Sequence, residues 1–191
     1  MKSQKIKLKK WRRLDSQEIF STHYFRLRID KCELPDGRVM PRYFVIDFPD
    51  WVQVVARAND GQLLLVEQYR HPGSGWFLEF PGGSTHPNRK EKPLAAAKRE
   101  LREETGHIAK KWKYLGYHYP NPALLNNRCH VFLATDCVKV GQLNLDPFED
   151  LRVRKLSARQ FLHRLRRSKK THSLMLATFE MARPYLENMS R

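Results

Sequence analysis

Glu91-Lys92-Pro93-Leu94-Ala95-Ala96-Ala97-Lys98-Arg99-Glu100-Leu101-Arg102-Glu103-Glu104-Thr105-Gly106 is the stretch from which the fold of this chain is read. Proline suits the first turn of a helix and glycine the left-handed residue beyond its last turn. The spacing therefore predicts a helix that Pro93 opens and Gly106 closes. At 100° per residue, Glu100, Glu103 and Glu104 fall within an arc of about 100°. Leu94, Ala97 and Leu101 form the adjoining apolar stripe. Like charges at i,i+3 and i,i+4 repel, and acids in the last turn oppose the helix dipole. The patch therefore needs cationic compensation. Arg99 and Arg102 can supply part of it, and clustered carboxylate oxygens also suit a hard divalent cation such as Mg²⁺ or Mn²⁺. A solvated acidic turn is the plainer alternative.

Outward from this helix, the chain alternates between strand and loop signals. Pro72, Gly73, Gly75, Pro81, Gly82, Gly83 and Pro87 mark loops around the apolar run 76–80. Residues 51–58 and 62–68 flank Asn59-Asp60-Gly61, a hairpin signal. Pro49-Asp50 precedes them, so we expect a β subdomain over 1–50 and a second domain over 51–191. Within the first, residues 25–29 alternate, Pro35-Asp36-Gly37 turns, and residues 39–48 return, which predicts two antiparallel strands. Lys2, Lys5, Lys7, Lys9, Lys10, Arg12 and Arg13 crowd the start without an acid and are expected to form a mobile arm. Downstream, residues 112–119 and 129–134 read as strands on either side of Pro120-Asn121-Pro122-Ala123. Trp112, Tyr114, Tyr117 and Tyr119 are assigned to packing within the sheet. Ser157 and Gln160 form a capping box with Leu156 and Phe161 as its hydrophobic staple. A last helix begins near Ser173, and Pro184 is expected to kink or end it. Strands interspersed with helices indicate an α/β or α+β protein.

Composition narrows the class. A chain of 191 residues with 41% hydrophobic content can bury a core without staples. Lys and Arg number 36 against 20 Asp and Glu, a net charge of +16 that favours anionic partners. Cys32, Cys129 and Cys137 are an odd set with no C-x-x-C pair, which argues against a disulfide framework or a cysteine zinc site and for a reducing cytoplasm. The polar run 14–18 follows the basic start where a signal peptide would need an apolar core, and no apolar stretch approaches the roughly 18 residues of a membrane span. A soluble, cytoplasmic protein with no membrane partner is expected.

Gly83, Glu91 and the run 99–106 together resemble the Nudix hydrolase signature. Val66-Glu67-Gln68-Tyr69-Arg70, Leu78-Glu79-Phe80-Pro81-Gly82-Gly83 and Pro120-Asn121-Pro122 extend the resemblance to the ADP-ribose and ADP-sugar pyrophosphatase branch. Two features depart from it. Seven residues separate Gly83 from Glu91, a longer loop than the signature has, and His107 stands where an apolar residue is usual, which would expose the helix end. The resemblance implies an α/β/α sandwich around a mixed sheet, with a small N-terminal antiparallel β subdomain through which the branch forms homodimers. It further implies metal-dependent hydrolysis of a nucleoside diphosphate derivative, such as ADP-ribose or a nucleotide sugar, to a nucleoside monophosphate and a sugar phosphate.

Carried onto this chain, the resemblance makes Glu100 and Glu104 metal ligands. Glu103 joins them in catalysis when more than one metal binds, and the Gly82 carbonyl adds an oxygen. Glu91 and Arg99 are expected to form a structural ion pair, with Gly83 and Gly106 as structural glycines. Arg70 has the planar fork of a phosphate clamp, and Glu79 is a candidate substrate contact; a solvated arginine and a structural loop carboxylate are the alternatives. The acidic turn Asp146-Pro147-Phe148-Glu149-Asp150 resembles the loop that carries the branch's general base, for which Glu149 is chosen over Asp150.

Nine Lys and Arg lie between Arg152 and Lys170, with no acid before Glu180. Arg159, Arg166 and Arg167 could line one side of the Ser157 helix. Two further readings follow: an RNA 5′-end pyrophosphohydrolase, and a non-catalytic nucleic-acid-binding protein of Nudix fold, to which the acidic patch would be superfluous. Gly73-Ser74-Gly75 fits neither nucleotide-loop pattern. His118, His130 and His172 lack ligand spacing and are assigned core or surface roles.

Overall fold

A computed structural model of the chain describes residues 9–86 and 90–187. The lysines at 2, 5 and 7 and Pro87 lie outside the described residues. The chain divides into two compact units, one comprising Met1–Pro49 with Asn121–Asn127 and the other Asp50–Pro120 with Arg128–Arg191. Residues 121–127 thus belong to the first unit.

The first unit is an antiparallel sheet of β1 (Arg12–Ser21), β2 (Arg26–Glu33) and β3 (Val39–Asp47), in that order. Gly37, at φ 87°, closes the β2–β3 turn, a conformation that glycine adopts without strain. Two strands were expected here, with a mobile arm up to Arg13. Instead, β1 begins at Arg12, and every one of its residues is exposed. Its order comes from backbone pairing with β2 and has no apolar signature. Residues 121–127 join through backbone bonds, with Ile46 N–H donating to Leu124 O at 2.9 Å and the Tyr43 hydroxyl to Ala123 O at 3.1 Å.

The second unit contains β4 (Trp51–Ala58), β5 (Leu63–Arg70), β6 (Gly75–Glu79), β7 (Gly82–Ser84), α1 (Pro93–Thr105), β8 (His107–His118), β9 (Cys129–Lys139), β10 (Leu151–Leu156), α2 (Ala158–Arg167) and α3 (Ser173–Glu187). The sheet runs β10-β5-β4-β9-β8, with β6 added to β5 and β7 to β4. The β4–β9 pair is parallel and the others are antiparallel, so the sheet is mixed. Alternation along β4 sends Val52, Val54 and Ala56 to one face, where they meet Ala96, Ala97 and Leu101 of α1. Val55 faces the other way, with Leu63 and Leu65, toward Phe161 and Leu165 of α2 and Met175, Phe179 and Ala182 of α3. This is the α/β/α sandwich. Among the described residues no helix is long and apolar enough to cross a membrane.

The structure refines three local expectations. Pro184 does not end α3, which runs on to Glu187; the amide that proline lacks would have addressed only the Glu180 carbonyl near the end of the helix. His107 is buried, because its Nδ1 meets the Thr105 carbonyl at 2.7 Å where β8 begins. Trp112 packs against the core, and Tyr114, Tyr117 and Tyr119, though partly exposed, pack on the sheet surface, Tyr114 against Phe132 and His130 and Tyr117 against His130 and Tyr119. A register shift between Tyr114 and Gly116 pairs Tyr114 with Phe132 and Tyr117 with His130, so the two tyrosines share a face despite their spacing.

Candidate active site

The site is built where α1 meets β7. Pro93 starts α1, and Gly106 ends it in the left-handed conformation at φ 70°, its N–H donating to Arg102 O. Between these caps Glu100 and Glu104 turn inward, with exposures of only 8% and 4%, while Glu103 stays half-buried. Burial, with the charges of Glu103 and Glu149 adding, pushes the Glu100 carboxyl up to about 7 although Arg99 works against it. Glu104 is likewise raised well above the usual range by burial and then by the charge of Glu100. Its Oε2 accepts the Gly82 N–H at 2.8 Å.

Arg99 organises the opposite side. Its Nε and Nη2 donate to the two oxygens of Glu91 at 3.0 and 3.2 Å, and Nη2 also reaches Ser84 O at 3.0 Å. Its Nη1 bridges Glu100 at 2.8 Å and Glu103 at 3.0 Å. Burial opposes its charge, but these carboxylates outweigh that and raise its pKa. Glu91 in turn closes the neck of the long loop, with Oε2 accepting His86 N–H at 3.0 Å and its own N–H donating to His86 O at 3.2 Å. The start of α1 at Pro93 is undisturbed.

Arg70 and Glu79, singled out separately in the sequence, pair with each other across β5 and β6. Arg70 Nε and Nη2 donate to Glu79 Oε1 and Oε2 at 3.0 and 2.6 Å. Hydrogen bonding to Glu79 raises the Arg70 pKa against its burial, and the charges of Glu104 and Glu149 add to it. Glu149 closes its own turn, its Oε2 accepting Asp146 N–H at 3.0 Å. Its charge adds to the shifts of Arg70, Glu100 and Glu104. Asp150 is exposed.

Among the described residues no three His, Cys, Asp or Glu side chains are gathered to hold a metal ion by themselves. Arg99 Nη1 instead bridges Glu100 and Glu103. The donor set nevertheless fits a divalent cation. The two buried carboxylates lie one helical turn apart, the charge of Glu100 adding to burial in raising Glu104, and a hard cation relieves that repulsion with the oxygen ligands it prefers.

The sequence reading missed three features. His172 comes within 3.4 Å of Glu79 Oε1; no local spacing signals this. Tyr114 OH, His130 and Asp50 form a hydrogen-bonded chain at 2.9 and 3.2 Å. A cavity of about 650 Å³ lies beside α1, lined in part by Lys98, Arg99, Arg102, Glu103, Ile108 and Asn144.

Comparison with known proteins matches residues 48–178 to the NUDIX domain and residues 11–46 to the nucleoside diphosphate sugar hydrolase N-terminal domain. The ADP-ribose pyrophosphatase of Bacillus subtilis (strain 168) is 34% identical over 120 residues, 63% of this chain and 63% of that protein. The methanol dehydrogenase activator of Bacillus methanolicus is 31% identical over 141 residues, 72% of this chain and 75% of that protein. A solved structure described as an ADP compounds hydrolase superposes with a TM-score of 0.81 at 21% identity, covering 97% of this chain and 98% of that one, a likeness of fold.

Proposed function

The chain belongs to the Nudix family, and from that premise we propose that it hydrolyses the pyrophosphate bond of ADP-ribose or a related nucleotide sugar, giving AMP or its analogue and a sugar phosphate. One observation carries this reading: Glu100 and Glu104 are buried one turn apart on α1, with both carboxyls raised chiefly by burial and that of Glu104 also by the charge of Glu100. The name of the Bacillus subtilis relative supports the choice of substrate.

On this reading Glu100 and Glu104 would hold a divalent cation, Mg²⁺ or Mn²⁺, to which the Gly82 carbonyl adds an oxygen, with Glu103 joining when more than one binds. The cation supplies charge neutralisation on the phosphoryl group and on the leaving oxygen. The remaining work belongs to the chain. Arg70 holds the diphosphate with the edge of its guanidinium that Glu79 leaves free. Glu149 accepts the proton of the attacking water, whose oxygen bonds to phosphorus as the bridging P–O bond breaks. Glu91 and Arg99 keep the loop and helix in register, Gly83 leaves room for Glu100, and Gly106 ends the helix.

The exposed apolar side chains of the N-terminal sheet, including Leu14, Ile19, Phe20, Val39, Met40 and Phe44, support pairing with a second copy. The unpaired Cys32, Cys129 and Cys137 support a cytoplasmic location. Exposed Arg159, Arg166 and Arg167 on α2 favour a second reading in which RNA carrying a 5′ pyrophosphate is the substrate. An assay with Mg²⁺ against ADP-ribose, other nucleotide sugars and 5′-triphosphorylated RNA tests both: preferential release of AMP from ADP-ribose supports the first, and preference for RNA replaces it with the second.

A further inference from the structure

Glu79 is 3% exposed at the end of β6. A carboxylate so enclosed must be met by charge and hydrogen bonds from its surroundings. Arg70 answers from β5, giving its Nε and Nη2 edge to the two carboxylate oxygens. Among the described residues, its Nη1 edge carries no hydrogen bond to the protein. That free edge can hold a diphosphate only if the rest of the fork is kept still, and a carboxylate gripped from one side alone is free to swing with the arginine it grips.

The second grip comes from the segment between α2 and α3. His172 brings its Nδ1 to 3.4 Å from Glu79 Oε1, the oxygen that Arg70 Nε also reaches. That nitrogen is buried and makes no hydrogen bond among the described residues, and the Glu79 carboxylate lies within ion-pair distance of it. The segment is fastened independently. Lys170 Nζ donates to Ser74 O in the β5–β6 turn at 2.8 Å, and Phe77 of β6 meets the His172 ring edge-on, with centroids 6.2 Å apart. Packing against Phe77 asks only for a ring; what imidazole adds is a nitrogen within ion-pair distance of a buried carboxylate.

We infer that His172 is a positioning residue, which holds the Glu79 carboxylate from behind and thereby fixes the Arg70 fork at the diphosphate subsite. This rests on the proposal that Arg70 engages the substrate. The test is steady-state hydrolysis of ADP-ribose with Mg²⁺ by the full chain and by His172→Phe, His172→Asn, Arg70→Ala and the Arg70→Ala/His172→Phe double variant, with melting temperatures measured alongside.

His172→Phe keeps the ring and should raise KM about five- to tenfold with kcat changed less than about twofold, the pattern of weakened binding to a charged partner. His172→Asn retains an N–H near the Nδ1 position and should recover most of that loss. In the Arg70→Ala background His172→Phe should add nothing, because its effect passes through Arg70. Additive effects, failure of the asparagine to rescue, or losses in kcat and KM that merely track a lowered melting temperature would overturn the inference. If Arg70→Ala leaves KM unchanged while ADP-ribose is still split, the positioning role falls and the hydrolase reading stands. If the unaltered chain turns over no substrate, calorimetric titration with inorganic pyrophosphate reads the same subsite, and equal affinity in the unaltered chain and His172→Phe refutes the inference.

Discussion

Gly83 lies directly in the path of Glu100: a Cβ at Gly83 would stand 2.4 Å from Glu100 Oε1. The neighbouring Gly82 faces backbone instead, where a Cβ would come 2.1 Å from Val52 O. The difference separates function from stability. A glutamate tip can rotate away, whereas a strand carbonyl can yield only by moving the sheet. Gly83→Ala should therefore fold with a melting temperature within a few degrees of the unaltered chain, yet lose about tenfold or more in turnover as Glu100 is displaced. Gly82→Ala should lose stability by about 2 kcal/mol or more in denaturant titration. The reverse order would show that Glu100 does not act from the position it holds beside Gly83.

Glu79 makes the acid limb of stability testable. Burial works to raise its carboxyl, but His172 and Arg70 outweigh that and hold it below the usual range. A carboxylate with a depressed folded-state pKa contributes stability above its unfolded value, and that stability is lost as pH falls through the folded value. Glu79→Gln should therefore differ most from the unaltered chain above about pH 4.5, the ordinary carboxyl range, with the gap narrowing below it. A constant difference across that window, in denaturant titrations at several pH values, would mean that the pairing contributes no charge-dependent stability.

Glu149→Gln should reduce turnover by about 10²-fold with little change in KM, the scale of a lost general base. Asp150→Asn, at an exposed neighbour, should stay within about twofold. Single-turnover rates for the two variants distinguish the assignments: a large loss in Asp150→Asn alone transfers the role to that residue, and full rates in both remove the turn from the mechanism.

The N-terminal sheet predicts an association that sedimentation can read. With Phe20, Val39 and Phe44 exposed on it, replacing Val39 and Phe44 by Asp should convert a dimer at micromolar concentration to a monomer. A monomeric unaltered chain with full activity at that concentration would set the dimer aside.

The helix 93–105 was legible because everything that defines it is local: proline first, glycine last, and acids at spacings that one turn brings together. The capping box at Ser157 was legible for the same reason, and both of its hydrogen bonds are present. β1 was not, since each of its residues is exposed and no alternation of polarity marks it. That Tyr114 and Tyr117 share one face was not legible, because the bulge near Gly116, at φ 114°, resets the alternation from which faces are read. At the site, the carboxylates announced themselves. The pairing of Arg70 with Glu79, the approach of His172 and the bridging by Arg99 Nη1 depend on how distant segments are packed, and no spacing encodes that.

The central claim is that Glu100 and Glu104 hold the cation on which pyrophosphate cleavage depends. Chromatographic separation of the products formed from ADP-ribose, by the unaltered chain and by Glu104→Gln, tests it most directly, with each protein assayed in Mg²⁺ and in chelator. The account predicts AMP and ribose phosphate from the unaltered chain in Mg²⁺ only. It predicts a loss of about 10²-fold or more in Glu104→Gln, with a melting temperature in chelator no lower than that of the unaltered chain, because a buried, repelled carboxylate has been made neutral. Turnover by Glu104→Gln within about tenfold of the unaltered chain, or product formed equally in chelator, would contradict it.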